Sequence, residues 1–302
     1  MSTTELIDNI KNGDNVTANK TFDRVKELRE KTGLGLMDCK KALEEANGDL
    51  DLAIEELRKS SGLKASKKSS RSAADGLIGI KSFEGKSFMV EINCETDFVA
   101  RDDSFNSFMQ EVLEIVSSNR DKSLEELLEE GIEEKREKLV QKLGENIVVR
   151  RIAASVDNAD SSGVYLHSNN KIGTIISLKE GTEELAKDIA MHAAATDPMA
   201  ISPSDISQDV IDKEREIYVA QSEESGKPAE IVEKMIEGKI RKFLSEVSLT
   251  EQEFVKDPTI KINDLLKNNN ASIVGFTRFE VGEGIEVEKV DFASEVMSQI
   301  EG

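Results

Sequence analysis

The 302 residues, 38% of them hydrophobic, suffice for more than one core, and no apolar run approaches the roughly 20 residues that would span a bilayer. Forty Lys plus Arg against 60 Asp plus Glu give a formal charge of -20, which opposes general attraction to nucleic acid and anionic lipid; an aromatic share of 4% without Trp leaves few stacking platforms for single strands. Cys39 and Cys94 stand far apart in sequence, each without a second thiol nearby, so neither a disulfide framework nor a zinc site is written here and a reducing cytoplasm is the expected compartment.

Residues 1–20 begin polar and acidic rather than basic and then apolar, and carry apolar side chains only at Leu6, Ile7, Ile10 and Val16. They read as a flexible leader, not a signal. From Phe22 the pattern changes. Val25 and Leu28 lead to Thr32-Gly33-Leu34-Gly35; Met37, Ala42, Leu43 and Ala46 lead to Asn47-Gly48-Asp49; Leu52, Ile54 and Leu57 follow. This predicts three short helices over 21–63, with Gly33 and Gly48 where helix ends want positive φ.

Lys64, Lys67, Lys68 and Arg71 lie among serines and read as a solvated basic linker over 64–75. Leu77, Ile78 and Ile80 then precede Glu84-Gly85-Lys86, and Phe88, Val90, Ile92 and Cys94 alternate with other residues, which predicts a hairpin with one buried face. A helix follows on Phe105, Phe108, Val112 and Ile115, with Asp103 and Ser104 as capping candidates. An acidic helical stretch near 123–143 leads to Gly144-Glu145-Asn146 and a strand from Ile147 to Ile152.

The order of glycine, hairpin and helix then recurs at Gly163, Ile172–Leu178 and Glu183–Ala195. The expected architecture is therefore α+β: two related core subdomains, 76–158 and 159–281, the second carrying an inserted antiparallel helical hairpin at 205–247 joined by Ser225-Gly226-Lys227-Pro228. A strand with Ile273, Val274, Phe276 and Phe279 and a C-terminal module at 282–302, with a short helix containing Phe292, Val296 and Met297, complete the chain.

Side-chain catalysis needs an activated nucleophile or a tuned acid and base. His167 and His192 have no partner at metal-ligand spacing, and Gly282-Glu283-Gly284 lacks the lysine of a phosphate loop. No catalytic residue, metal site, cofactor or directly bound nucleotide is expected. Cys94 reads as a packed core thiol. The segment from Cys94 to Asp102 admits two readings: a strand end with Phe98 on the core face of Cys94 and Asp97 or Asp102 as a helix cap, or an exposed contact.

Val25-Lys26-Glu27-Leu28-Arg29-Glu30-Lys31-Thr32-Gly33, Met37-Asp38-Cys39-Lys40-Lys41-Ala42-Leu43, Thr96-Asp97-Phe98-Val99-Ala100, Gly144-Glu145-Asn146-Ile147, Ile189-Ala190-Met191-His192 and Gly275-Phe276-Thr277-Arg278-Phe279 resemble the elongation factor Ts family in order and spacing, over about 22–300. The resemblance implies a protein that binds elongation factor Tu and speeds GDP release without bond chemistry. It implies that the first helices are similar to ubiquitin-associated domains and grip the GTPase through Val25, Arg29, Leu36 and Met37. It implies that Thr96, Asp97, Phe98 and Val99 enter between two GTPase helices and displace its magnesium ion, with Asp97 as the polar group and Phe98 as the apolar wedge. The hairpin at 205–247 resembles the coiled-coil insertion of longer bacterial members. Residues 1–20 fall outside the match and are similar to the opening of tailed-phage head-scaffold proteins, which leaves open a Tu-binding subunit of a viral replication complex. An RNA- or ribosome-associated module working through 58–71 is a further alternative, disfavoured by the charge; a hydrolase or transferase lacks its acid-base pair.

Overall fold

The computed structural model describes residues 22–223 and 228–286. The leader, the hairpin tip at Ser225-Gly226-Lys227 and the C-terminal helix expected at Phe292, Val296 and Met297 lie outside the described residues. The fold is α+β, and no helix of the described residues is long and apolar enough to cross a membrane.

Three helices open the described chain: α1 over 22–32, α2 (Leu36–Glu45) and α3 (Leu50–Lys68). Gly33 and Gly48 adopt φ of +70° and +82° at the two turns, where an L side chain would be strained, and Asp49 caps α3 by accepting from the Leu52 amide at 3.0 Å. Leu28, Leu34, Cys39, Leu43 and Ala53 close a small core between the three helices.

The expected linker is helical as far as Lys68. Ser61 and Ala65 are 2% and 1% exposed, and Ala65 belongs to the next core along, so α3 is shared by two cores. Lysine and serine lose little in a helix, and a basic sequence hides the two small residues that face inward. Gly62, on the same helix, lies against Glu137.

The first sheet has the order β1-β2-β3, all antiparallel: β1 (Asp75–Phe83), β2 (Lys86–Cys94) and β3 (Val148–Ala154). Between β2 and β3 run α4 (Asp97–Ala100), α5 (Asp103–Ser118), α6 (Leu124–Leu127), a π-helical turn containing Gly131 at φ 129°, and α7 (Glu133–Leu143). The cap of α5 is Asp102 rather than Asp103 or Ser104; its carboxylate accepts from the Ser104 amide at 2.7 Å.

The expectation of one buried face fails for β2, which is buried on both. Phe88, Val90, Ile92 and Cys94 belong to the main core with α5 and α7, while Met89 turns the other way to meet Ile78, Ile175 and Phe279 of a core between the two sheets. The polar residues that share this second face are paired. Glu91, 0% exposed, accepts from Asn93, Arg150 and Arg151 side chains and from the Gly282 amide at 3.0 Å.

The second sheet, β4-β5-β8, consists of β4 (Ser161–Leu166), β5 (Ile172–Lys179) and β8 (Ser272–Glu280). It is backed by α8 (Glu183–Thr196), which comes so close to β4 that a Cβ on Gly163 would stand 2.1 Å from the Lys187 amide nitrogen. A hairpin and a third antiparallel strand thus occur twice, each with a helix against it. In the second unit, α9 (Gln208–Glu223), α10 (Ala229–Val247), the short pair β6 (Glu253–Phe254) and β7 (Asp257–Lys261), and α11 (Ile262–Asn268) intervene before the last strand. Pro228 stands at the N-cap of α10 rather than inside it.

Candidate functional site

Neither histidine is placed for chemistry. His192 is 0% exposed; its Nε2 lies 3.0 Å from Gln252 and its Nδ1 accepts from the Val255 amide at 3.2 Å, and burial pushes the ring below the usual imidazole pKa, so it serves as a neutral acceptor beneath β6. His167 bonds Asn169 in the exposed β4–β5 turn. Among the described residues no group of three or more His, Cys, Asp or Glu is arranged to hold a metal ion.

The exposed apolar side chains are more informative, because a large apolar group left in water forgoes about 1.5–3 kcal/mol of burial. After Cys94 the chain leaves β2 through Glu95 and Thr96. Burial pushes the Cys94 thiol up to about 12, and its Sγ donates to the Thr96 carbonyl at 3.2 Å, so it is an inert core group. Thr96 is the N-cap of α4, its Oγ1 accepting from the Val99 amide at 3.4 Å. On one helical turn successive side chains lie about 100° apart. Val99 and Ala100 accordingly enter the main core at 9% and 2% exposure, and Phe98 stands out at 80%. Of the two readings left open by the sequence, the core position for Phe98 is not the one adopted. Asp97 is half-exposed and pairs with Arg101 at 2.7 Å, an exposed i,i+4 pair of small energetic weight.

Thr96 is held from outside its own helix. One oxygen of Glu145 accepts from the Glu95 and Thr96 amides at 3.1 and 3.0 Å, and the other from the Thr96 hydroxyl at 2.6 Å. Glu145 stands inside Gly144-Glu145-Asn146 but has no role legible from that motif; only the pairing of two loops distant in sequence reveals it.

In the three-helix unit the four expected residues divide. Met37 and Leu36 are exposed at 72% and 40%, and Arg29 is exposed on α1. Val25, at 4%, packs in the core of the unit, sharing the inward face of α1 with Leu28. Lys142 at the end of α7 lies between the two exposed sets. Its side chain passes over Gly33, just before Leu36 and Met37, and its Nζ donates to Ser104 at 2.6 Å, at the start of the helix that follows Phe98.

Residues 95–283 match the family model described as Elongation factor TS. The chain is 55% identical over 280 residues to Elongation factor Ts of Hahella chejuensis (strain KCTC 2396), covering 92% of this chain and 97% of the relative. It is 55% identical over 278 residues to that of Marinobacter nauticus (strain ATCC 700491 / DSM 11845 / VT8), covering 91% and 96%. It is 52% identical over 284 residues to that of Francisella tularensis subsp. novicida (strain U112), covering 92% and 97%.

Proposed function

The chain belongs to the elongation factor Ts family, and from that premise we propose that it is a guanine-nucleotide exchange factor for elongation factor Tu. It binds the GDP form, displaces magnesium and promotes GDP release, without making or breaking a covalent bond itself. The observation that carries this reading is Phe98: an aromatic ring 80% exposed on a one-turn helix whose next two residues, Val99 and Ala100, are anchored in the core. A ring so placed stabilises nothing in the free protein and is ready to be buried in a partner. Asp97 beside it supplies the polar group, and Leu36, Met37 and Arg29 offer a second contact on the three-helix unit.

The energetics require both contacts. A GTPase holding GDP at nanomolar affinity binds it by about −12 kcal/mol, and with association near ~10⁶ M⁻¹s⁻¹ release takes on the order of 10³ s. Accelerating this about 10⁴-fold requires roughly 5.5 kcal/mol of differential stabilisation. Burial of one Phe contributes about 1.5–3 kcal/mol, so loss of magnesium coordination and the rest of the interface supply the remainder.

Linkage gives the test. If the chain weakens GDP, GDP must weaken the chain by the same factor. Immobilised chain is expected to retain nucleotide-free elongation factor Tu and to release it when GDP and magnesium are added. Retention indifferent to GDP would contradict exchange, even if binding were tight.

A further inference from the structure

A helix of one turn does not hold its own direction, because forming the first turn fixes several residues for a single hydrogen bond. What aims Phe98 must therefore lie outside α4. From below, Val99 and Ala100 are anchored in the core. From the side, Glu145 receives three donors on one carboxylate: two amides and the Thr96 hydroxyl. Glu95 returns the tie by accepting from the Asn146 amide at 2.6 Å. Asn146, 2% exposed, donates in turn to the Arg71 carbonyl at 2.8 Å.

The loop leaving β2 and the loop entering β3 are thus clasped to each other through two carboxylates. Hydrogen bonds to a charged acceptor are shorter and roughly twice as strong as neutral ones. Three of them on one group fix rotation as well as position, where a single bond would leave a hinge. Thr96 transmits this to the helix, since the same hydroxyl oxygen that donates to Glu145 accepts from the Val99 amide.

We propose that Glu145 is a positioning residue for nucleotide exchange: through Thr96 it sets the direction in which Phe98 projects. The inference rests on Phe98 acting as the wedge. Glu145 makes its contribution within the chain, so its loss misdirects the ring while leaving the other contact surfaces in place. Loss of a group used only in the transition state lowers the maximal rate, not the affinity.

The variant is Glu145→Ala in the full chain, which removes both carboxylate oxygens and with them the acceptor of all three bonds. Two measurements separate the steps: amide hydrogen exchange over 95–100, and GDP release from elongation factor Tu across a titration. Protection at Glu95 and Thr96 is expected to fall at least about tenfold, and the maximal release rate about tenfold, equivalent to ~1.4 kcal/mol. The half-saturating concentration should change by less than about twofold, and in a Phe98→Ala background the same substitution should reduce release by less than about twofold further.

Retained protection would overturn the proposal; so would normal release despite lost protection, or the same loss of release in both backgrounds. If Phe98→Ala alone left release intact, the wedge reading would fail and take the exchange role of Glu145 with it, while amide protection would still decide whether Glu145 holds the loop. Should Glu145→Ala fail to fold, Glu145→Asp carries the same test, since it keeps the charge and withdraws it by one methylene.

Discussion

Phe98→Ala is expected to slow GDP release from elongation factor Tu at least about tenfold, or roughly 1.4 kcal/mol of transition-state stabilisation, while the melting temperature stays within about 1 °C of the parent. The two halves of this result have one cause. A ring 80% exposed has little packing to lose, so no cavity follows its removal. Had Phe98 shared the core face of Cys94, the same substitution would cost about 3–5 kcal/mol of folding stability. Asp97→Ala should slow release as well, and the double variant should lose less than the sum, because neighbours entering one site share their partners. A melting curve and a stopped-flow release trace on each variant check the expectation. A large melting loss with normal release in the folded fraction would contradict it.

The largest stability effect outside the apolar core is expected at Glu91. This carboxylate is 0% exposed, joins Arg150 and Arg151 of β3 to the Gly282 turn, and lies on the face of β2 turned toward the second sheet. Glu91→Ala leaves these donors without their acceptor. Loss of one partner from a buried pair costs about 3–5 kcal/mol, and the value should fall near the lower end because both arginines keep over a quarter of their surface. At roughly 2–4 °C per kcal/mol the melting temperature should drop by about 6–12 °C.

The same group sets a pH arm. Burial pushes the Glu91 carboxyl upward, but the Gly282 amide, Arg151 and Asn93 outweigh it and hold the group below the usual carboxylate range. A depressed folded value means that the contribution is fully present above the unfolded pKa, about 4.3, and is lost as pH falls through the folded one. Urea midpoints taken downward from neutral pH should therefore converge for parent and Glu91→Ala in acid. Parallel curves would show that Glu91 contributes packing rather than charge.

The parts of this fold that were legible in the sequence are those fixed locally. Gly33 and Gly48 announced two helix ends because positive φ is a property of single residues, and Glu84-Gly85 announced a hairpin for the same reason. What depends on a distant neighbour was not legible. β2 reads as half-buried by alternation, yet a second sheet covers its other face and Glu91 and Asn93 are buried there. Helix α3 reads as ending near residue 63 because lysines and serines follow, yet its Ser61 and Ala65 find cover on α7 and the main core.

The candidate site divides along the same line. The resemblance named Thr96–Val99, but whether Phe98 faces the core or the solvent turns on where β2 stops, and strict alternation carried one residue type too far. Val25 was named by its motif, and its spacing from Leu28 marks the inward face of α1, where both pack. Glu145 was visible as a letter in a motif and invisible as a partner of Thr96, because nothing in either segment specifies the other across about 50 residues.

The central claim is catalytic exchange, and its most direct measurement is the release of labelled GDP from elongation factor Tu with this chain present in amounts far below the GTPase. The rate is expected to rise in proportion to the chain added, each molecule discharging many GTPase molecules, because an exchange factor is freed at the end of every cycle. A release rate unchanged across the titration, or a burst that stops at one GDP per chain, would contradict it.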